Sequence, residues 1–378
     1  MLVDERTVFE VVVCGGGVAA IEGLLRLRRL GGDRVAITLV TPAETLLMRP
    51  LAVEDPFGRQ GAREYPIARI MGDTQSAWVR DAVVSVDPVA SVVRTREGRE
   101  LAYDALLLAI GAREQRPFEH ADVFTGRNAD RTLHGLVRAI ETGQVNVVAF
   151  VLPHEWMWPL PLYELALLSA ARARSLSLDS RFVFVTAEGR PLKAFGRAAG
   201  DALERLLDEA GIELHTGVSA SVPAAGIVNL GETSVKAQRI VTLPRIIGPA
   251  LTGIPAGTRW FVPVDERCVV TDAGGRVFAA GDATDFPVKH GGIAAQQADT
   301  AAEGILHLAG LGDRPAPMRP VIRGMLLTGA RPLYVSAEVV HGLGWRSELH
   351  ERPPWPLADK IVADELGRYL RQLNGPAG

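Results

Sequence analysis

The feature that most constrains this chain is a glycine turn close to its first residue. Residues 8–13 form an apolar segment that predicts a strand, and the turn Gly15-Gly16-Gly17-Val18-Ala19-Ala20 follows almost at once. This turn fits the G-x-G-x-x-G/A pattern, in which the first glycine permits a sharp bend and Gly17 lets the backbone approach a pyrophosphate, while Ala20 keeps the next helix close to the sheet. The phosphates then bind free N–H groups at the helix N-terminus, where the helix dipole favours negative charge. The pattern therefore predicts a dinucleotide site in a parallel α/β sheet.

The following segments repeat this strand–helix–strand arrangement. A helix with one apolar face follows the turn, Gly31-Gly32 ends it, and residues 35–40 predict the next strand. Short strands are predicted between residues 77 and 110, and a second strand–helix–strand pattern occupies residues 147–151, 162–173 and 182–185. We predict an α/β protein with two Rossmann-like, doubly wound, three-layer nucleotide-binding folds and a small C-terminal α+β region.

The domain boundaries are predicted from the order of these patterns. Residues 1–114 form the first part of the first nucleotide-binding domain, and residues 115–245 form the second domain with its degenerate glycine loop. Residues 246–317 return the chain to the first domain through a short strand, a Gly-Asp turn and a long helix. Residues 318–378 form a C-terminal region at the interface or cleft.

Composition excludes several classes of function. Of the 378 residues, 47% are apolar and 22% charged, and the net charge of −3 offers no attraction to nucleic acid or to an anionic membrane. Cys14 and Cys268 form no CxxC pair and the histidines have no ligand-like spacing, so we predict neither a disulfide framework nor a metal site. No apolar run approaches the ~20 residues that span a bilayer, and the acidic first residues are unlike a signal peptide. These features predict a cytoplasmic protein.

The second strand departs from the usual dinucleotide pattern at its end. The chain reads Leu39-Val40-Thr41-Pro42, with Thr41 where an aspartate or glutamate usually binds a ribose hydroxyl. A threonine hydroxyl or a backbone group makes this contact more weakly. We therefore assign Thr41 and Pro42 to the cofactor site.

Three motifs occur in an order that is typical of a known enzyme family. They are the first glycine turn, the run Ala109-Ile110-Gly111-Ala112, and the run Val277-Phe278-Ala279-Ala280-Gly281-Asp282. With these motifs the chain resembles the FAD-dependent pyridine nucleotide–disulfide oxidoreductases. Over about residues 8 to 310 it looks like the branch that holds sulfide:quinone reductases, the flavin subunit of flavocytochrome c sulfide dehydrogenase and type II NADH dehydrogenases. The resemblance implies that FAD is the cofactor and that the first domain binds it.

The resemblance also implies roles for individual residues. Asp282 would hydrogen-bond the ribityl chain, Gly111 would pass near the pyrophosphate, and Arg49-Pro50 would approach the flavin. The run from Lys289 to Ile293 would follow the pyrimidine edge of the ring. The implied cofactor-binding residues are Gly15, Gly17, Val18, Ala19, Thr41, Pro42, Arg49, Pro50, Val83, Ala109, Gly111, Gly281, Asp282, Lys289, Gly291, Gly292 and Ile293.

Physical chemistry supports the role along the pyrimidine edge. Residues 293–307 predict a helix that begins after Gly291 and Gly292. A helix N-terminus directed at the flavin C2 carbonyl stabilises negative charge on the ring. Lys289 would add a fixed positive charge there, and we assign it a catalytic role; the alternative is a solvated surface lysine.

The second nucleotide-binding fold has lost its glycines. Between its first strand and its helix, residues 151–161 read VLPHEWMWPLP, which includes prolines and the tryptophans Trp156 and Trp158. Because proline lacks an N–H donor and tryptophan fills space, ordinary pyrophosphate binding is disfavoured here, and with it NAD(P)H. The loop either packs as an aromatic linker or forms an apolar wall over the flavin, suited to a flat substrate such as a quinone. His154 and His290 are the histidines that would face the same cleft.

A glutamate follows this loop at the start of the next helix. The sulfide-oxidising relatives carry a redox cysteine in or near the loop and then Tyr-Glu; here Tyr163-Glu164 is present, but tryptophan and methionine replace the cysteine. Cys14 and Cys268 lie elsewhere, so sulfide oxidation through a cysteine is not expected. Among apolar neighbours Glu164 would have a raised pKa and shuttle protons, which is a catalytic role. The alternative is an acid that the helix dipole favours at an N-terminus.

The C-terminal region ends in an amphipathic helix. Hairpin-like strands are predicted around residues 325–327 and 333–335, and the helix over residues 361–373. Its polar face has no net charge and consists of Asp359, Lys360, Asp364, Glu365, Arg368 and Arg371. Because an interfacial anchor needs a basic face, we predict that the helix packs against its own flavin domain or against a second subunit. Peripheral membrane contact and a homodimer remain open.

These features predict an FAD-dependent oxidoreductase. It would pass electrons through the isoalloxazine ring to or from a quinone-like or other small hydrophobic acceptor, so its partners are a small-molecule donor and a small-molecule acceptor. Two alternatives remain: an NAD(P)H-dependent flavin reductase with an atypical nicotinamide pocket, and a flavin electron-carrier subunit that acts with a partner protein.

Overall fold

The computed structural model describes residues 8–59, 62–126, 129–153, 158–340, 342–355 and 360–374. Within these ranges the chain forms two parallel five-stranded sheets, each at the centre of one α/β layer structure, and a smaller antiparallel sheet near its C-terminal end. The predicted α/β class, with two Rossmann-like folds and a C-terminal α+β region, is confirmed.

The helices and strands follow one another in three blocks. The first block contains β1 (Phe9–Cys14), α1 (Val18–Gly31), β2 (Val35–Val40), β3 (Thr45–Met48), β4 (Arg63–Pro66), α2 (Ile67–Thr74), β5 (Ala77–Val79), β6 (Val83–Asp87), β7 (Val92–Thr95), β8 (Glu100–Ala102) and β9 (Ala105–Leu108). The second contains β10 (Arg113–Gln115), β11 (Asp122–Val123), α3 (Ala129–Glu141), β12 (Val147–Leu152), α4 (Leu160–Ser175), β13 (Arg181–Thr186), α5 (Arg197–Glu209), β14 (Ile212–His215), β15 (Ser221–Ala224), β16 (Ile227–Leu230), β17 (Thr233–Lys236), β18 (Arg239–Thr242) and β19 (Arg245–Ile247). The third contains β20 (Val277–Ala279), α6 (Gly291–Leu308), β21 (Val321–Leu326), β22 (Leu333–Val340), β23 (Leu343–His350) and α7 (Asp364–Asn374).

The first sheet holds parallel strands in the order β20-β9-β1-β2-β5. Val11 and Val13 of β1 pack in the core formed with α1 and α6, whereas Val12 and Cys14 pack on the opposite side with the antiparallel strands β6, β7 and β8. The three layers are therefore helices, sheet and a short antiparallel sheet, which takes the place of a second helix layer. Because carboxyl ends of parallel strands meet at one edge, the turns after β1, β9 and β20 come together there.

The second sheet repeats this layering with the order β11-β18-β12-β13-β14, again all parallel. Its core on one face includes residues of α3, α4 and α5, and its core on the other face includes residues of β15, β16 and β17. Strands β10 and β19 pair antiparallel between the two domains, with Arg113 opposite Ile247. The proposed boundaries, between residues 114 and 115 and between 245 and 246, fall in this two-stranded connection.

The C-terminal sheet has one strand more than the sequence indicates. Its order is β21-β22-β23, and the predicted hairpin segments correspond to the end of β21 and the start of β22. β23 has no clear alternation of buried and exposed residues: Leu343 and Trp345 are both exposed, whereas Gly344 packs against Phe195. A strand without a regular apolar face gives no period-two signal in the sequence.

The last helix begins later than predicted, at Asp364 rather than at residue 361. Its first turn is fixed by Glu22 of α1, whose carboxylate accepts the backbone N–H groups of Glu365 (2.9 Å) and Leu366 (2.6 Å). Leu366 is fully buried in the same core as α1, so the predicted packing of this helix against its own flavin domain is observed. Within the described ranges, no helix combines the length and apolar character needed to cross a bilayer.

Candidate functional site

The first glycine turn has the geometry that its sequence predicts. Gly15 has a φ of +129°, and a Cβ there would lie 2.1 Å from the carbonyl oxygen of Ala109, so only glycine fits. A Cβ at Gly16 would lie 2.7 Å from the hydroxyl oxygen of Thr41. A Cβ at Gly17, by contrast, would meet no atom of the described residues within 4 Å. The protein fills the space behind the turn and leaves the space beside Gly17 open to a ligand.

The N-terminal ends of two helices meet beside this turn. Ile21 of α1 donates its N–H to the carbonyl of Gly17 (3.1 Å), which leaves the earlier N–H groups of the helix without intrahelical acceptors. Gly281 lies between the helices, because a Cβ there would come within 3.2 Å of Ala19 in α1 and 3.4 Å of Ala294 in α6. Both helix dipoles therefore place positive partial charge at the edge of the first sheet.

Asp282 adds an unused carboxylate to the same edge. Its side chain is half-buried, and none of the described residues donates a hydrogen bond to it. Burial raises the pKa of Asp282, and the positive charges of Lys289 and Arg49 oppose that rise. Arg49 extends from the loop after β3 and donates to Glu114 (3.3 Å) and to the carbonyl of Thr125 (3.2 Å).

Three other predicted cofactor positions differ in their surroundings. Thr41 is buried, and its hydroxyl oxygen accepts the N–H of Ala43 (3.2 Å) while lying next to Gly16 in the glycine turn. Pro42, the next residue, is exposed. Val83 is half-buried against the core on the sheet face opposite α1. The assignment of Thr41, Pro42 and Val83 to the cofactor site stays a prediction.

The residues at this edge fit FAD. Gly111 has a φ of +69°, and a Cβ there, as at Gly17, would meet no atom of the described residues within 4 Å, so the backbone is accessible at both points. Free N–H groups at the start of α1 suit a pyrophosphate, and the carboxylate of Asp282 suits the hydroxyl groups of a ribityl chain.

Lys289 is partly enclosed by the protein, which disfavours the alternative of a solvated surface lysine. Its ammonium donates to the carbonyl of Thr284 and lies 3.8 Å from the ring centroid of Phe261. Burial lowers the pKa of Lys289 to about 8, against the opposing charges of Asp282 and Asp285. The side chain is therefore mostly charged at neutral pH, and that charge is held on the side of Asp282.

His290 caps the N-terminus of α6, which begins at Gly291 and not after the two glycines. The imidazole Nδ1 accepts the N–H of Gly292 (3.2 Å), and the ring lies 4.4 Å from the ring of Trp158. Trp158 in turn packs 5.5 Å from Phe195, which is fully buried. Aromatic side chains from the second domain therefore reach the start of α6 and form an apolar wall beside it.

Glu164 lies on the same side, one turn after the start of α4, and is fully buried. Its carboxylate accepts a hydrogen bond from the ammonium of Lys360 (2.6 Å) and another from the backbone N–H of Leu327 (2.9 Å). Burial raises the pKa of Glu164, and Lys360 and the N–H of Leu327 act against that rise. The sequence predicted Lys360 on the polar face of the last helix, and this prediction was wrong. Lys360 precedes α7, and its side chain turns inward and is only 6% exposed.

In the second domain, described residues beside the corresponding turn bind one another. Tyr163 is fully buried, its ring stacks 4.1 Å from that of Phe184, and its hydroxyl donates to Glu188 (2.8 Å). Glu188 also accepts the N–H of Lys193 (3.0 Å), and burial raises its pKa to about 7. Glu188 follows the second strand of the fold, where an acid normally binds the ribose of NAD, so its position in the sequence was a signal that we missed. Here it binds protein groups instead.

Part of the loop between β12 and α4 lies outside the described residues. This applies to His154, Trp156 and Met157, so the prediction that His154 faces the cleft stays a prediction. In the described part of the chain, no group of three or more His, Cys, Asp or Glu side chains has the arrangement of a metal site. Both cysteines, Cys14 and Cys268, are buried and unpaired, and burial raises the pKa of each to about 12.

Comparisons with known proteins agree with this geometry. Residues 9–145 match the family described as pyridine nucleotide-disulphide oxidoreductase. The chain is 25% identical over 303 residues to the sulfide-quinone reductase of Aquifex aeolicus (strain VF5), covering 73% of this chain and 69% of that protein. It is 32% identical over 110 residues to the mitochondrial sulfide:quinone oxidoreductase of Mus musculus, covering 27% of this chain and 23% of that protein.

A solved structure extends the likeness to almost the whole fold. The sulfide:quinone oxidoreductase from the hyperthermophilic bacterium Aquifex aeolicus superposes with a TM-score of 0.81 at 22% sequence identity, covering 90% of this chain and 86% of that one. Together with the open glycine turn and the unused Asp282, these likenesses lead to one assignment: residues 9–145 match the pyridine nucleotide-disulphide oxidoreductases, and over most of its length the chain is similar to a sulfide:quinone reductase.

Proposed function

We propose that this flavoenzyme delivers an electron pair to a quinone-like or other small hydrophobic acceptor and does not use NAD(P)H as its ordinary donor. The observation that carries the proposal is the contrast between the two nucleotide turns. The turn beside Gly17 is open, whereas in the second domain Tyr163 of α4 and Glu188 after β13 bind each other. A dinucleotide in the second domain would have to displace a buried ring and break a buried hydrogen bond.

The second turn also lacks the donors that a pyrophosphate needs. Helix α4 has Pro159 as its N-terminal cap and Pro161 within its first turn, so the backbone there offers fewer N–H groups than the start of α1. Trp158 adds an indole at the same place. These residues support an apolar acceptor more than an anionic cofactor at this end of the second domain.

When bound, FAD supplies the electron-transfer chemistry, and the protein supplies orientation, exclusion of water and proton movement. Trp158 and Phe195 form an apolar wall next to the start of α6, which suits a flat, weakly polar ring. The relatives named as acting with quinone make the same acceptor class the natural first test.

Glu164 and Lys360 would move protons at this wall. The ammonium proton of Lys360 lies on a hydrogen bond to the Glu164 carboxylate, so it can pass to the carboxyl group without entering water. Burial favours the neutral form of Glu164, which lowers the cost of protonating it. We therefore keep Glu164 as the proposed proton-transfer residue, with Lys289 as a fixed charge near Asp282.

A cysteine-based route for the donor is not part of the proposal. The chain has two cysteines, and both are buried in the first domain with pKa values raised to about 12, so neither is a thiolate nucleophile at neutral pH. The donor is then a small molecule that reduces the flavin directly. We also propose a cytoplasmic location and small-molecule partners on both sides of the reaction.

One anaerobic titration tests the proposal. The purified holoprotein, which must show flavin absorbance, is first mixed with stoichiometric NADH or NADPH. The protein is then reduced with dithionite and mixed with a soluble quinone. We expect the pyridine nucleotides to leave the flavin oxidised and the quinone to restore its colour promptly. Prompt bleaching by NADH or NADPH would instead support an NAD(P)H-dependent reductase. Reoxidation only by an added redox protein would support an electron-carrier subunit.

A further inference from the structure

His290 is held at the N-terminus of α6 by a hydrogen bond that fixes which ring nitrogen carries the proton. Its Nδ1 accepts the backbone N–H of Gly292 (3.2 Å), and the ring lies so close over the helix end that a Cβ at Gly292 would be 3.0 Å from Cε1. A nitrogen that accepts an N–H donor carries no proton itself. In the neutral imidazole the proton is therefore on Nε2.

The imidazole is also kept neutral. His290 is 7% exposed, and burial together with the positive charge of Lys360 lowers its pKa to about 3. Lys360 itself binds the carboxylate of Glu164. His290 consequently stays neutral over the whole range in which an enzyme of this kind works.

The Nε2–H group has no acceptor among the described residues, although the side chain is buried. Two neighbours of the imidazole are the ring of Trp158 at 4.4 Å and the positive charge of Lys360, and neither provides a hydrogen-bond acceptor. An N–H donor that the described residues leave without an acceptor is available to a ligand that brings one. The unpaired Nε2–H group is thus an observation independent of the N-terminus of α6, and it points to a ligand beside His290.

We propose that His290 is a neutral hydrogen-bond donor that binds a carbonyl oxygen at the flavin site. In this relay the N–H of Gly292 donates to Nδ1 of the imidazole, and the Nε2–H on the other side of the ring donates to the carbonyl oxygen. This inference rests on the proposed function for the presence of flavin and acceptor. The carbonyl belongs either to the pyrimidine edge of FAD or to a quinone-type acceptor. Both are flat rings with a carbonyl oxygen at the edge, and the experiment distinguishes them.

The relay has a physical advantage over a short capping residue. Successive hydrogen bonds polarise one another, so the N–H of Gly292 at the positive end of α6 strengthens the donor on the far side of the ring. A serine caps a helix as well as a histidine does, but its single hydroxyl cannot span the same distance. Because the donor is neutral, its contribution does not change with pH in the range where Lys289 titrates.

The first test reads the tautomer directly in the unaltered holoprotein. The protein is labelled with ¹⁵N-histidine, and the ring nitrogens of His290 are assigned by comparison with the variant His290→Ser. We expect one protonated nitrogen, Nε2, and no titration of this ring between pH 5 and pH 8 (values chosen to lie well above its pKa). A proton on Nδ1, or a doubly protonated ring at pH 7, would overturn the proposal. This measurement does not depend on turnover, so it stands whether or not quinone is the acceptor.

The second test identifies the source of the carbonyl. In His290→Ser, loss of the hydrogen bond should change one equilibrium roughly tenfold. If the oxygen is that of FAD, the equilibrium constant for flavin reduction falls, measured against a reference dye without acceptor. If it is that of the acceptor, the Kd of a soluble quinone rises and the flavin equilibrium is unchanged. No change in either quantity, in a variant that retains flavin, would contradict the proposal.

A matched control variant is His307→Ser, which changes an exposed histidine in the last turn of the same helix. Its ring contacts the carbonyl of Gly312 and lies at the opposite end of α6 from the flavin site. We expect the flavin equilibrium and the quinone Kd of this variant to match those of the unaltered protein.

Discussion

The carboxylate of Glu164 and the ammonium of Lys360 lie 2.6 Å apart, although 196 positions separate them in the chain. Both side chains are withdrawn from solvent, and the pair joins α4 to the segment that leads into α7. The ion pair therefore connects the second domain to the C-terminal region at the side where the flavin site opens.

The first prediction concerns the stability of this pair. Lys360→Met should lower the free energy of unfolding by about 3–5 kcal/mol, because it leaves an uncompensated carboxylate in the interior. The double variant Glu164→Gln with Lys360→Met should recover most of that loss, since no buried charge remains. Urea unfolding of the holoprotein measures both. For comparison, Glu213→Gln breaks an exposed pair with Arg181 and should cost less than about 1 kcal/mol. A Lys360→Met variant as stable as the unaltered protein would rule out a buried ion pair.

The second prediction concerns turnover. If Glu164 transfers protons, Glu164→Gln should lower kcat by at least about 10²-fold with a soluble quinone, while the flavin content stays unchanged. Because burial raises the pKa of Glu164, the limb of the pH–rate profile that depends on it lies above the usual range of a glutamate and should disappear in the variant. Turnover and pH profile that are the same before and after the substitution would end the assignment. Glu213→Gln again serves as the control.

The third prediction separates two glycines of the same turn. Gly15→Ala should destabilise the first domain and abolish flavin binding, because the backbone is left-handed there and the new Cβ meets the carbonyl of Ala109 at 2.1 Å. Gly17→Val should fold with a free energy of unfolding of the apoprotein within about 1 kcal/mol of the unaltered value, since its Cβ enters open space. It should nevertheless lose FAD, because the side chain occupies the place of the pyrophosphate. Flavin absorbance and apoprotein unfolding measure the two effects, and retention of FAD by Gly17→Val would contradict the proposed site.

The fourth prediction is a pH dependence of stability. The pKa of Glu188 is about 7 in the folded protein against 4.5 for an ordinary glutamate, so the folded state holds a proton that the unfolded state releases. Its contribution to stability is therefore full below about pH 4.5, falls as the pH rises and reaches its lower limit above about pH 7, a loss of roughly 3 kcal/mol. Glu188→Gln should remove this part of the pH dependence while Tyr163 keeps an acceptor. Urea unfolding at several pH values checks it, with the exposed Glu119→Gln as control. Parallel curves for Glu188→Gln and the unaltered protein would show that Glu188 is ionised in the fold.

The local parts of the fold and site were predictable from the sequence. The turn from Gly15 to Ala20 works through neighbours in the chain, and its strand and helix carry clear periodic patterns, so it determines the first domain by itself. The loss of glycines before Tyr163 could be read from the sequence as well, because that turn is also made of neighbours in the chain. The importance of Glu188, which accepts the hydrogen bond of Tyr163, was also predictable, because an acid after the second strand of such a fold usually binds the ribose of the cofactor.

The tertiary contacts of the site were not predictable. Nothing in the run before Asp364 indicates that Lys360 turns inward, because its partner Glu164 is brought there only by the packing of separate elements. The late start of α7 has a similar cause, since Glu22, far earlier in the chain, accepts its first N–H groups. A pattern in one segment cannot report a partner that another segment supplies.

The position of β20 in the first sheet has a consequence for biosynthesis. This strand comes from residues 277–279 but pairs with β9, and α7 then completes the core around α1. During translation the second domain therefore has all of its strands and helices before the first domain does, although the first domain begins earlier. Until the ribosome has released these late segments, the apolar edge of β9 and one side of α1 stay uncovered. A nascent chain stalled before residue 277 is thus expected to need chaperone protection of its first domain while its second domain is already folded.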